Sequence, residues 1–206
     1  MKRIEKLIFA LIFGSSFPIL CGMIAVILWF YLNHDENVAL YFALAGLTAG
    51  LLLDGVYLKK LINNAFDLPI GLLVAFYVFY NICIFGFFMG FPVFNLFMGV
   101  IAGYYFGKRI IHKNIALTQR AFIVRKVSLF AGIVMLLICI SSGLIAILHE
   151  STSEELHSML RLGFEVTRGM LVALILIGGS TLIICQYVLT KVTLMKTMET
   201  HNKSFS

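Results

Sequence analysis

The stretch Pro92–Ile111, PVFNLFMGVIAGYYFGKRII, decides how the chain is organised. Its first 16 residues, to Gly107, carry no charge and reach about 24 Å as a helix. The hydrocarbon core of a bilayer is about 30 Å thick. The run therefore spans it only if Lys108 and Arg109 stretch toward the headgroups and the helix continues to Ile111. Whether it crosses also sets the side on which the next basic stretch falls, because six basic residues follow between Lys108 and Lys126.

Outward from this run lie five more apolar stretches: Leu7–Leu32, Val38–Leu58 (interrupted by Asp54), Leu68–Phe91, Val127–Leu148 and Gly169–Leu189. Together they make the chain 61% hydrophobic and only 13% charged, with a mean hydropathy of +0.99. A soluble domain is about 45–50% apolar with about a quarter of its residues charged. An ordinary soluble fold, a disordered chain and a nucleic-acid-binding domain are excluded. The expected fold is all-α: a polytopic membrane protein with six transmembrane helices in one bundle, forming a single transmembrane domain over 1–206. The expected spans are 7–32, 38–58, 68–91, 92–111, 127–148 and 169–189.

Charge placement supports six crossings with both termini in the cytoplasm. That arrangement puts 14 of the 16 basic residues inside, leaving Arg161 and Arg168 outside. It also puts six of the ten acidic residues outside, among them Asp35, Glu36, Glu154 and Glu155. Basic residues gather on the cytoplasmic side of membrane proteins, so the net charge of +6 reads first as orientation in the cytoplasmic membrane. Lys2, Arg3 and Lys6 ahead of an apolar run imitate a signal peptide, but the run exceeds the usual h-region and no Ala-x-Ala-like site follows. An uncleaved first helix, kinked near Pro18, is expected. The outer connection 149–168 contains Ser151/Glu154 and Thr152/Glu155, each spaced as a capping box, and predicts a short amphipathic helix on the outer surface.

Small residues set the expected packing. Asn95, Gly99, Gly103 and Gly107 are four apart and share a helical face, as do Gly46 and Gly50. In lipid, such faces let backbones approach closely. They serve either packing within the chain or assembly of a homo-oligomer. Asp54, the one charge inside a span, shares the Gly46/Gly50 face and is expected to point inward, as an ion or proton site or as one half of a structural pair with Lys59, Lys60 or another helix end. Asn81 sits in an exceptionally aromatic span, at the expected depth of Gly103 and Tyr104; it forms either part of a wall for a planar ligand or an interhelical hydrogen bond. Arg168, with Glu165 and Arg161, forms either a helical ion-pair ladder or the mouth of an anion site. The candidate substrate- or ion-binding residues are thus Asp54, Asn81, Asn95, Tyr104 and Arg168, with Gly46, Gly50, Gly99, Gly103 and Gly107 for helix packing.

Catalysis finds no support. Cys21, Cys83, Cys139 and Cys185 are dispersed without a Cys-x-x-Cys, and all five histidines lie outside the spans. His149-Glu150 lacks the second histidine of a metalloprotease motif. No metal site and no cofactor is expected, and the chain is not expected to be an enzyme. The function expected is a small-molecule transport component, the substrate-binding membrane subunit of a multi-subunit importer. In size, inside termini and lack of a nucleotide-binding loop, the architecture is similar to that of the membrane-embedded binding subunits of energy-coupling-factor importers, without a shared motif. The alternative is an oligomeric scaffold that recruits a cytoplasmic partner through its basic loop. Partners expected are the lipid bilayer, a cytoplasmic or membrane protein or a second copy, and a small-molecule ligand; no nucleic acid.

Overall fold

The computed structural model describes residues 3–32, 36–148 and 167–202. Among them the fold is all-helical, with no strand: α1 (Arg3–Gly14), α2 (Ser16–Leu32), α3 (Glu36–Asn63), α4 (Ile70–Phe87), a 3-10 turn (Pro92–Asn95), α5 (Leu96–His112), α6 (Leu117–Leu148) and α7 (Arg168–Asn202). The amphipathic helix expected in 149–168, with Arg161 and Glu165, falls outside the described residues.

Five stretches are long and apolar enough to cross a membrane: Phe9–Leu32, Val38–Asn63, Ile70–Phe87, Leu117–Leu148 and Arg168–Thr200. The helix that follows Pro92 is shorter and lies outside that set. Its 17 α-helical residues reach about 25 Å, and the preceding 3-10 turn adds about 8 Å. The distribution of side chains is that of a protein solvated by lipid. Leu52 and Ile177 are 75% and 70% exposed, whereas Asn81, Asn95, Ser128, Gln186 and Thr190 are almost wholly buried. Apolar side chains lose nothing by facing acyl chains, while polar ones must find partners inside the protein.

The chain gathers into two compact units, 1–73 and 74–206. In the first unit, Pro18 offers no N–H to the Gly14 carbonyl, and the helix breaks between α1 and α2. Ser15 and Ser16 donate their hydroxyls back to the Leu11 and Ile12 carbonyls at 2.8 and 3.0 Å, which eases this irregular turn. α3 then packs antiparallel on both pieces. A Cβ on Gly46 would stand 2.5 Å from the Cys21 carbonyl oxygen, and one on Gly50 would meet Pro18 and, at 2.6 Å, the Phe17 carbonyl oxygen. One turn further along α3, Asp54 faces Gly14. At the inner side of α1, Phe9 and Phe13 are buried, and the Phe9 ring meets Phe66 edge-on at 5.3 Å.

The second unit is organised by a tight hairpin between α4 and α5. Met89 and Gly90 both adopt positive φ, 53° and 81°, and the Gly90 N–H reaches back to the Phe85 carbonyl at 2.8 Å. This closure satisfies carbonyls left over at the end of α4. Phe91 is extended, as a residue before proline prefers, and Pro92 opens the 3-10 turn, where its missing N–H costs nothing. Phe88 and Phe94 stack at 3.7 Å across the turn, and Ser142 of α6 donates to the Gly90 carbonyl at 2.8 Å.

Glycine contacts also give the helix directions. Gly99, Gly103 and Gly107 step along α7 past Gln186, Thr190 and Thr197, so α5 and α7 run parallel. Gly143 against Ile175, Gly179 against Cys139 and Gly132 against Tyr187 show α6 and α7 antiparallel. α4 joins through larger side chains, with Tyr77, Tyr80, Ile84 and Phe85 reaching toward Met98, Ala131 and Val134.

Two helices extend furthest beyond the apolar stretches of the sequence. α6 begins at Leu117 instead of Val127, and α7 continues to Asn202, past Leu189. The basic segment 108–126, read as a loop, is helical except at 113–116, with Asn114 in the left-handed conformation. Charge ends a lipid-facing stretch but does not end a helix. Arg125, Lys126, Lys191 and Lys196 are exposed, while Ile110, Val124, Val127 and Leu194 form a second small core.

Candidate functional site

Each helix of the second unit brings a polar residue or a glycine to one buried cluster. From α4, Asn81 donates to the Tyr77 carbonyl one turn back, at 2.8 Å. Asn95, at the end of the 3-10 turn, does not use its side chain to cap α5. It donates instead to the Asn81 backbone carbonyl at 2.7 Å and to the Asn81 side-chain oxygen at 3.1 Å. From α7, Gln186 donates through Nε2 to the Tyr77 hydroxyl at 2.9 Å, and Thr190 donates to the Gln186 backbone carbonyl at 2.8 Å. α5 contributes Gly99, whose missing side chain leaves the room that Thr190 and Gln186 occupy: a Cβ there would stand 2.8 Å from Thr190 Oγ1 and 2.9 Å from Gln186 Oε1.

Ser128 of α6 completes the set. It lies one turn before Gly132, and Thr190 lies about one turn beyond Tyr187. Since Gly132 faces Tyr187 in an antiparallel pair, Ser128 and Thr190 fall at one level. Asn95, Ser128, Gln186 and Thr190 are completely buried, and Asn81 is 1% exposed. Around them pack Met98, Ala102, Ala131, Val134 and Ile138, with the Phe130 ring 5.5 Å from that of Tyr77.

The hydrogen bonds leave a directional remainder. Asn95 Oδ1, Gln186 Oε1 and Ser128 Oγ are buried without a hydrogen-bond partner. The amide nitrogen of Asn95 is engaged twice and that of Gln186 once, so the cluster still offers these acceptor oxygens beside the Ser128 and Tyr77 hydroxyls. It holds no carboxylate, imidazole or thiolate; its hydroxyls are those of Tyr77, Ser128 and Thr190.

The sequence candidates divide accordingly. Asn81 and Asn95 come together, and Gly99 adjoins them. Asn81 was expected at the depth of Gly103 and Tyr104; it faces Asn95 instead, because the left-handed residues Met89 and Gly90 close the hairpin close to the end of α4. Tyr104 is half-buried beneath Lys108, whose ammonium lies 5.8 Å from the ring centre, and Arg168 is exposed at the start of α7. Gly103 and Gly107 pack against α7, where added Cβ atoms would stand 2.6 Å from the Thr190 carbonyl oxygen and 2.7 Å from Thr197 Cβ. Gly46, Gly50 and Asp54 belong to the first unit. Asp54 is 7% exposed and its Oδ1 has no hydrogen-bond partner there; Lys59 and Lys60 point outward.

Tyr77, Ser128, Gln186 and Thr190 were missed by sequence reasoning. A signal existed for two of them: Gln186 is an amide in an apolar span, as costly there as Asn81, and Thr190 is four residues on, on the same face. Among the described residues, no group of three His, Cys, Asp or Glu side chains is placed to hold a metal. No family model, no curated protein and no solved structure matches this chain.

Proposed function

We propose that the chain is a multi-pass protein of the cytoplasmic membrane, with six spans and both termini inside, and that it is the solute-binding component of a small-molecule transport system. One observation carries this reading: buried acceptor oxygens of Asn95, Gln186 and Ser128 without hydrogen-bond partners, the latter two on helices apolar enough to span a bilayer. Each such group costs about 1–3 kcal/mol if nothing meets it. Polar groups at membrane depth mark solute and ion pathways. The alternation of helix directions within each unit agrees with the proposed crossings, as does the basic character of one end of α5, α6 and α7. With no nucleotide-binding loop in the sequence, energy comes from a gradient or from another subunit.

The assembly reading loses one of its two supports, the glycine faces, and keeps the basic segment 108–126. The faces of Gly46, Gly50, Gly99, Gly103 and Gly107 are occupied by neighbouring helices of the same chain. Native mass spectrometry from lipid nanodiscs tests the choice. A monomer carrying a retained small solute, lost in Gln186→Leu, is the expected result; a ligand-free ring of copies overturns it.

A further inference from the structure

We infer that the polar cluster of the second unit is a binding site for a small monovalent cation of sodium size, held by neutral oxygens. The inference rests on reading this cluster as a ligand site and names its ion.

The sign of the ligand follows from which atoms are spent. Asn95 and Gln186 each use their amide nitrogen within the protein, on Asn81 and on the Tyr77 hydroxyl, and leave their carbonyl oxygens unmet. Thr190 has used its hydroxyl hydrogen on the Gln186 backbone carbonyl, so lone pairs are what it has left. Ser128 Oγ is unpartnered at the same level. An anion would have only the Ser128 and Tyr77 hydroxyls and one Gln186 N–H to meet it, with no cationic side chain in the cluster to balance its charge. Oxygen donors of this kind match hard cations.

Charge and size narrow the ion further. The cluster contains no carboxylate, and two positive charges buried without counter-charge are far costlier than one. A divalent ion is therefore disfavoured. Size follows from Gly99 and Gly103: Thr190 Oγ1 and Gln186 Oε1 sit 2.8 and 2.9 Å from the absent Cβ of Gly99, and the Thr190 carbonyl oxygen 2.6 Å from that of Gly103, so α5 and α7 pack closely. A bare ion fits such a packed centre. The same oxygens, drawn from a 3-10 turn, α6 and α7, would then bind the three elements together, and the ion would stabilise the folded state in proportion to its occupancy.

The test is thermal stability of the full chain in nanodiscs. Sodium, lithium, potassium and choline chlorides are compared at one constant ionic strength, which holds surface screening fixed. A saturable rise of several degrees with sodium over choline is expected, weaker with potassium and absent in Gln186→Leu. Should Gln186→Leu fail to fold, Ser128→Ala removes one oxygen at almost no change in packing; it should keep its melt in choline and need severalfold more sodium for half the shift. Identical melts of the wild-type chain in sodium and choline would overturn the site, its oxygens then being served by water. An unaltered sodium response in both variants would overturn it equally, placing the ion elsewhere. Sodium stabilisation without any retained solute would sink the transport reading and leave the ion site standing.

Discussion

Asn95 reaches across the α4–α5 hairpin to Asn81 and donates to both its backbone and its side-chain oxygen, at 2.7 and 3.1 Å. Both residues are buried, so no solvent replaces these bonds when they are lost. Asn95→Ala should lower stability by about 1–3 kcal/mol, the cost of stranding a buried acceptor. Asn95→Asp should be worse, because it exchanges the donor for a charge facing the Asn81 oxygens. Denaturation in detergent, followed by near-UV absorbance or a thiol-reactive dye on the four free cysteines, measures both.

Gly103 has no space for a side chain. A Cβ there would meet the Thr190 carbonyl oxygen at 2.6 Å and the Leu194 nitrogen at 3.1 Å, and backbone yields less readily than a flexible side chain. Gly103→Ala should cost about 1–3 kcal/mol and Gly103→Leu should prevent assembly of the second unit. Gly178, with nothing within 4 Å of the added atom, is the control: Gly178→Ala should match or exceed wild type in the same melt. Equal melts for Gly103→Leu and wild type would contradict the close approach of α5 and α7.

Asp54 faces Gly14 at the break between α1 and α2, buried and with Oδ1 unpartnered, while Lys59 and Lys60 point outward. Among the described residues Asp54 pairs with no cation, and such a carboxylate loses nothing structural when its charge is removed. Asp54→Asn should keep or raise stability, by up to about 2 kcal/mol given the cost of a charge in a span. If Asp54 takes part in transport, solute retention falls in the same protein. A melt lowered together with full retention would assign it a structural pair instead.

Topology is checked by fusions. A reporter active only in the cytoplasm should give signal when fused after Lys113 and after Lys203, and none after Glu155. Signal at Glu155 would refute the six-span arrangement.

The all-helical character and five of the long apolar helices were legible in the sequence because lipid imposes one simple demand, that a crossing segment be apolar and satisfy its own backbone. The close approach of α3 to α2 was legible for a related reason: Gly46, Gly50 and Asp54 repeat at four-residue spacing, and a helix converts that spacing into a face. The extent of α6 and α7 was not. Hydropathy reports where lipid ends, and Arg125, Lys126 and Lys191 stop a lipid-facing stretch while the backbone continues as helix behind them.

The partners of the polar groups were decided only by tertiary structure. Gln186 meets Tyr77 across 109 residues of chain, and no local pattern links them. Asn81 finds Asn95, not the level of Gly103, because two left-handed residues at Met89 and Gly90 close the hairpin at one position. In lipid there is little hydrophobic drive between helices, so a leucine does not select its neighbour. Selection comes from where a missing side chain admits another backbone and from which donor meets which acceptor. Those choices exist only once the helices are side by side.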